Sequence, residues 1–184
     1  MTGHPLRIAL AVSSVLFAAV WLAAPLPREL RVGAIDTLWL VTALDADELE
    51  TIRWDPVDDD ARTFFVEQLR ADPGARGWWA WVARLESGEE VGSGGFGGRP
   101  GRDRRLTVGY AIHEEHRGHG YATELLELLT SWALARPEVD RVRATIRPDN
   151  AASLRVAAKA GFEQTGEVVQ DDEHGELLVF VREH

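Results

Sequence analysis

The sequence predicts an α/β fold in which helices flank a mixed sheet. Short runs rich in β-branched and aromatic residues alternate with segments of helical periodicity. One predicted strand, residues 106–112, leads through Gly118 and Gly120 into a long amphipathic helix. A glycine turn between a strand and a helix N-terminus is typical of an anion-binding site, because the first amides of the helix have no intrahelical partner.

The remaining elements follow from apolar patterns and turn residues in chain order. Residues 38–41 predict the first strand, and residues 45–52 predict a helix. A second helix is predicted to have its N-cap within 58–60 and to end at the Asp-Pro-Gly turn of 72–74. The other strands are predicted at 78–85, 91–96, 142–146, 162–169 and 177–181.

Side-chain periodicity predicts which faces of these elements are buried. Alternation along a strand places Trp79 and Trp81 on one face and Trp78 on the other. Such tryptophans usually belong to a core, and the alternative is that one of them lines a ligand site. The helix after the glycine turn is predicted to bury Leu125, Leu126, Leu128, Leu129, Trp132 and Ala133.

The composition is that of a globular protein and excludes several classes of function. Of the 184 residues, 45% are apolar and 27% are charged, which suits one folded domain of ordinary size. The net charge of −10 disfavours a nucleic-acid partner and suits a cationic ligand such as an amine. The absence of cysteine excludes thiol catalysis, disulfides and cysteine-ligated zinc.

The N-terminal segment is an apolar extension, and we divide the chain into this extension (1–30) and a domain (31–184). Residues 8–24 are apolar apart from Ser13 and Ser14, a length at the lower edge of what spans a bilayer. One interpretation is a membrane anchor with the domain on the cytoplasmic side, a bias suggested by the flanking arginines.

Two other interpretations of the extension stay open. A cleaved signal peptide is disfavoured, because Pro25 and Pro27 lie where cleavage would fall. The third is an extra helix packed on the domain, or a start codon assigned too early.

Two further patterns are weak. Residues 92–97 match G-x-G-x-x-G, but a turn follows them, whereas a dinucleotide fingerprint opens a helix. We expect these glycines to make a hairpin flexible or to leave room for a substrate. His113, His116 and His119 recur at every third residue, but they cross a strand-to-helix turn, so we expect solvated histidines and no metal.

Two motifs in order carry a resemblance to a known family. Arg117, Gly120 and Ala122 match the turn Arg/Gln-x-x-Gly-x-Gly/Ala, and Asn150 precedes the Lys-x-Gly-Phe motif of 159–162. At these positions the chain resembles the GNAT superfamily of acyl-CoA N-acyltransferases. The pattern is most similar to the branch that acetylates the N-termini of ribosomal proteins.

The resemblance implies a mostly antiparallel sheet whose central strands splay apart to admit the pantetheine arm of acetyl-CoA. It also implies cytoplasmic localisation, because acetyl-CoA is made and used inside cells. A backbone amide near Ala111 or Ile112 would meet the oxyanion during direct attack by an amine. The co-substrate, acetyl-CoA, would be bound by Ile112, Arg117, Gly118, His119, Gly120, Tyr121, Ala122 and Asn150.

The same resemblance implies a proton donor on the second helix of the site. Ala157 occupies the position where many members carry a tyrosine that protonates the departing thiolate. In the ribosomal-protein branch a serine three residues after the asparagine is the proton donor, and Ser153 occupies that position. The alternative is that the Ser153 hydroxyl only binds the carbonyl four residues back. Asn150 is also a candidate N-cap of this helix.

The general base is not assigned by the sequence. Thr107 stands where close relatives often carry a glutamate. Glu114, Glu115 and the acidic run 171–173 are the candidates, and a solvated hairpin tip is the alternative for the run.

The expected function is therefore transfer of an acetyl group from acetyl-CoA to a primary amine, either a peptide N-terminus or a small molecule. The alternative from another class is a catalytically silent module that binds acyl-CoA.

Overall fold

The computed structural model describes residues 29–31, 40–53 and 59–184. The strands of these ranges are β1 (Glu29–Arg31), β2 (Leu40–Ala43), β3 (Ala80–Arg84), β4 (Glu90–Phe96), β5 (Arg105–Ile112), β6 (Arg141–Ile146), β7 (Glu163–Asp171) and β8 (Gly175–Glu183). The α-helices are α1 (Ala46–Thr51), α2 (Asp59–Ala71), α3 (Tyr121–Leu134) and α4 (Ala151–Lys159).

Within the described part of the chain, the strands form one sheet in the order β1-β2-β3-β4-β5-β6-β8-β7. Its neighbouring strands are antiparallel except for the parallel pair of β5 and β6. The predicted α/β class with a mixed, mostly antiparallel sheet is confirmed. The sequence analysis missed β1, a short strand that pairs with β2 at the sheet edge.

Helices cover both faces of the sheet. α1 and α2 bury Leu49 and Leu69 with Val82 of β3 in one apolar cluster. α3 and α4 bury Leu125 and Ala157 in a larger cluster on the opposite face. Of the residues predicted to be buried on α3, Leu128 is only partly buried.

The central strands β5 and β6 separate along their length, as predicted. Their ladder consists of three pairs at the start of both strands, the last of which is Thr107 with Arg143. Beyond this pair β5 continues to Ile112 and β6 to Ile146 without further pairing to each other. The sheet therefore opens on the side where β5 leads into α3.

The three tryptophans around β3 lie on different faces from those predicted by alternation. Trp78 and Trp81 both contact Trp132 of α3, at centroid distances of 5.0 and 5.1 Å. Trp79 faces the other side, where its ring lies 5.5 Å from that of Phe65. The prediction was wrong because β3 begins at Ala80, so Trp78 and Trp79 lie in the preceding turn, where alternation does not apply.

The glycines of β4 allow close packing between neighbouring strands. A Cβ on Gly95 would lie 1.7 Å from the carbonyl oxygen of Trp79, and one on Gly92 would lie 2.2 Å from that of Ala111. Contacts this short are incompatible with any side chain, so the strands need glycine here. Because these residues belong to a strand, the rejection of a dinucleotide-binding turn is confirmed.

The apolar segment 8–24, for which an anchor is one of the interpretations, lies outside the described residues. Within the described ranges, no helix is long and apolar enough to cross a bilayer.

Candidate active site

A cleft of about 570 Å³ lies where β5 ends, between the turn that precedes α3 and the helix α4. Eight of the nine residues predicted for the site line this cleft: Ile112, Arg117, Gly118, Gly120, Tyr121, Ala122, Asn150 and Ser153. The exception is His119. The separation of β5 from β6 and the N-terminus of α3 thus place both sequence motifs around one opening.

The glycine turn leaves backbone amides exposed to this cleft. Gly118 and Gly120 have φ angles of +86° and +91°, which L side chains rarely adopt, and a Cβ at either would meet nothing within 4 Å. Among the hydrogen bonds of the described residues, none is donated by the amides of 118–122. Such amides at a helix N-terminus suit a phosphate group, so the turn fits the pyrophosphate of acetyl-CoA.

Arg117 braces the turn with its side chain. Its Nε donates to the carbonyl oxygen of Ile112 at 3.1 Å, which ties the start of the turn to the end of β5. In an antiparallel strand the N–H and C=O of one residue point to the same side. Because His113, the next residue, donates its N–H to β4 at Val91 O, the Ile112 amide faces the opposite side, where β6 has separated.

The three histidines contact different groups. His116 Nε2 lies 3.3 Å from Glu89 Oε1. The ring of His119 stacks on Tyr121 at a centroid distance of 5.6 Å, and His119 does not line the cleft. In the part of the chain that the structure describes, no three potential metal ligands come together.

The first turn of α4 carries the predicted proton donor. Asn150 Oδ1 accepts a hydrogen bond from Ser153 N at 3.0 Å, so the predicted N-cap is confirmed. Burial raises the pKa of Tyr110, which lies on β5 and lines the same cleft, and the nearby side chain of Ser153 lowers it by less.

Ala157 has no exposed surface and packs in the core cluster beneath this turn. A tyrosine would not fit there without displacing core side chains. The hydroxyl groups of this end of the cleft therefore come from Ser153, Tyr110 and neighbouring residues.

The candidate bases are not brought to the cleft. A hydrogen bond from the Arg53 guanidinium lowers the pKa of Glu115 to about 2. Asp171 accepts hydrogen bonds from the His174 amide at 2.8 Å and its ring at 2.9 Å, which lower its pKa. Both carboxylates accept hydrogen bonds from groups outside the cleft. The acidic run 171–173 is therefore better interpreted as a solvated hairpin tip than as the general base.

Sequence reasoning assigned no site role to several lining residues. Tyr110 could have been found from alternation with Ile112, which lies two residues later on the same face. Arg155 and Lys159, four residues apart on α4, could have been found from helical spacing. The other unassigned lining residues are His116, Thr123, Ala152 and Val156.

A family model described as Acetyltransferase (GNAT) domain matches residues 28–163, well over half of the sequence. The chain therefore belongs to the GNAT acetyltransferase family, and the predicted family is confirmed.

Individual relatives support the same placement. The chain is 34% identical over 104 residues to the uncharacterized N-acetyltransferase YjdG of Bacillus subtilis, over 56% of this chain and 62% of that protein. It is 41% identical over 76 residues to an L-2,4-diaminobutyric acid acetyltransferase of Streptomyces anulatus, over 41% of this chain and 43% of that protein. The matched segments thus span less than two thirds of either relative.

The fold is also that of Mycobacterium smegmatis RimJ, whose structure was solved in complex with CoA-disulfide. The TM-score is 0.64 and the identity 21%, over 84% of this chain and 85% of RimJ.

Proposed function

We propose that this protein is an N-acetyltransferase that transfers the acetyl group of acetyl-CoA to a primary amine. The observation that carries the proposal is the chemistry of the cleft. Unpaired backbone amides of 118–122 lie at its α3 end, and Ser153 of α4 and Tyr110 of β5 bring hydroxyl groups to its lining. The first group suits a phosphate, and the second suits proton transfer to a leaving group.

The residues of this chain have distinct proposed roles in direct transfer. Acetyl-CoA, when bound, supplies an activated acetyl group as a thioester. The turn amides and the helix dipole hold its phosphates, and the Ile112 amide, which faces the open side of β5, donates to the oxyanion. Ser153 gives a proton to the departing sulfur.

The amine attacks in its neutral form within a ternary complex, so no covalent intermediate on the enzyme is required. The acceptor's proton passes to water in this proposal, since Glu115 and Asp171 are engaged elsewhere. The use of acetyl-CoA also supports a cytoplasmic location. The acceptor is either a small-molecule amine, as the name of the Streptomyces anulatus relative suggests, or a peptide N-terminus.

The test is acetyl-CoA consumption, measured by thiol release, against a panel of amines. The panel contains a diamino acid, a polyamine and short peptides with free N-termini, each matched with its N-blocked form as a control. We expect turnover with at least one free amine and none with its blocked form. Tight acetyl-CoA binding without turnover on any amine would favour the silent acyl-CoA-binding module.

A further inference from the structure

The cleft of the candidate site is positively charged although the protein is acidic. Its lining contains Arg117, Arg155 and Lys159, and none of its described lining residues is an aspartate or a glutamate. The whole sequence, in contrast, has 30 aspartates and glutamates against 20 lysines and arginines. A concave surface lined by charges of one sign attracts ligands of the opposite sign, so the cleft suits an anion with several charges.

Two of these cations lie on one side of α4. Arg155 and Lys159 are four residues apart, so their side chains are neighbours on the helix surface. Like charges at this spacing destabilise a helix. The helix dipole favours Lys159 in the last turn, but Arg155 lies in the middle of α4, where this effect has fallen off. The stability of the helix therefore does not account for the pair.

Neither cation is paired with a carboxylate. Arginines elsewhere in the described ranges form ion pairs, such as those of Arg70, Arg84 and Arg143 with glutamates at 2.6 to 3.3 Å. Within the same ranges, Arg155 and Lys159 take part in no ion pair. Both side chains are exposed, so a ligand in the cleft can reach them.

A second hollow of about 400 Å³ adjoins the cleft at Lys159. Ser131 of α3 and Arg182 of β8 also line it, and Glu127 is the one carboxylate among its described lining residues. One cleft holds both the turn of 118–122 and Lys159. A ligand bound at the turn can therefore extend along α4 and past its last residue into this hollow.

The ligand of the proposed function carries a third phosphate besides its pyrophosphate. The pyrophosphate is the group that suits the turn amides. The ribose 3′-phosphate of acetyl-CoA is a monoester, and such a group has a charge of about −1.5 to −2 at neutral pH. Arginine offers paired planar donors and lysine a compact charge, and both side chains are common phosphate ligands.

We propose that Arg155 and Lys159 bind the ribose 3′-phosphate and thereby select CoA thioesters against thioesters that lack this phosphate. The inference rests on the proposed use of acetyl-CoA. It adds a specificity determinant on α4 to the backbone amides of the glycine turn.

Calorimetric titration with CoA and with 3′-dephospho-CoA tests the inference without any acceptor. The two ligands differ only in the phosphate concerned. The wild type should bind CoA about five- to thirtyfold more tightly, the range for two exposed ion pairs that water partly screens. Equal affinity for both ligands would overturn the inference.

Arg155→Gln/Lys159→Gln removes both charges and keeps residues that favour a helix. This double variant should bind the two ligands with equal affinity, because CoA loses its contact and 3′-dephospho-CoA has none to lose. Each single variant should keep part of the preference. A double variant with the full wild-type preference would overturn the inference. This includes the case in which both ligands bind more weakly by the same factor, since the cations would then contact the pyrophosphate.

Arg70→Gln/Arg141→Gln is the matched control. Both arginines lie outside the cleft, and the control has the same net charge as the double variant. It should keep the wild-type preference for CoA. Loss of the preference in this control would assign it to the charge of the whole protein and overturn the direct contact.

The same titrations separate this inference from the function on which it rests. A wild type that binds neither ligand overturns the use of acetyl-CoA and the inference with it. A wild type that binds both ligands equally well retains a CoA site and overturns the role of Arg155 and Lys159 alone.

Discussion

At the scale of single residues, the turn glycines show how backbone conformation and binding are linked. Gly120 is the N-cap of α3 with a left-handed backbone, so its amide and those beside it face the cleft. The space around its Cα is open. A side chain there would be strained by its φ angle and would occupy the open space in which we propose that the pyrophosphate binds.

We expect Gly120→Val to weaken acetyl-CoA binding by about tenfold to a hundredfold, the equivalent of one lost charge-assisted hydrogen bond. The positive φ angle should also cost about 1–2 kcal/mol of stability. Calorimetric titration and thermal unfolding measure the two effects.

Gly88→Val is the matched control for this substitution. Gly88 has a φ of +87° and equally open surroundings, but it lies in the turn between β3 and β4. It should lose similar stability and keep full affinity. Equal affinity in both variants would remove the pyrophosphate role from the turn of Gly120.

At the scale of elements, α4 combines a structural cap with a site residue. Asn150→Ala should cost about 1 kcal/mol of stability, because the Ser153 N–H loses its acceptor. The same change should lower kcat, because the first turn that carries Ser153 is no longer held. Chemical denaturation and steady-state kinetics measure both.

Asn150→Asp separates the cap from any contact to the ligand. Aspartate keeps the capping oxygen but loses the amide N–H donor. Stability should therefore be retained, and any loss in acetyl-CoA affinity would report a direct contact of the Asn150 side-chain nitrogen. Equal stability of the Ala and Asp variants would contradict the capping role.

At the scale of the whole molecule, the sheet determines how much of the N-terminus can be removed. β1 pairs with β2 at the sheet edge, so a truncated protein should retain Glu29–Arg31. We expect residues 28–184 to fold and to bind acetyl-CoA with unchanged affinity, which calorimetry checks. A chain starting at Val32 exposes the edge of β2 and should unfold at a lower temperature. Loss of folding in 28–184 would show that the apolar extension belongs to the core.

The stability of the folded protein should also depend on pH, through a carboxylate of the β7–β8 hairpin. Hydrogen bonds from His174 and Glu173 lower the pKa of Asp171 in the folded state, so the folded protein binds fewer protons than the unfolded chain. The resulting stabilisation is complete above the ordinary pKa of about 4 and is lost as pH falls through the lower folded value.

Asp171→Asn should therefore flatten the decline of the unfolding temperature between about pH 5 and pH 3. Asp172→Asn changes the net charge equally at the neighbouring exposed position, and its decline should match that of the wild type. Identical curves for both variants would contradict the role of Asp171.

The sequence by itself determined those features that depend on residues close together in the chain. The glycine turn before α3 and the Asn150 cap of α4 were predicted correctly, because backbone freedom and capping depend on residues within about four positions. The α/β class followed from the periods of the strands and helices.

Only the tertiary structure decided which side chains meet. Tyr110 and Ser153 lie on different elements, and their shared place in the lining of the cleft depends on how β5 and α4 pack on the same core cluster. The common face of Trp78 and Trp81 likewise depends on a turn that ends just before β3. Contacts between distant elements are fixed by the packing of the whole domain, so no local pattern in the chain specifies them.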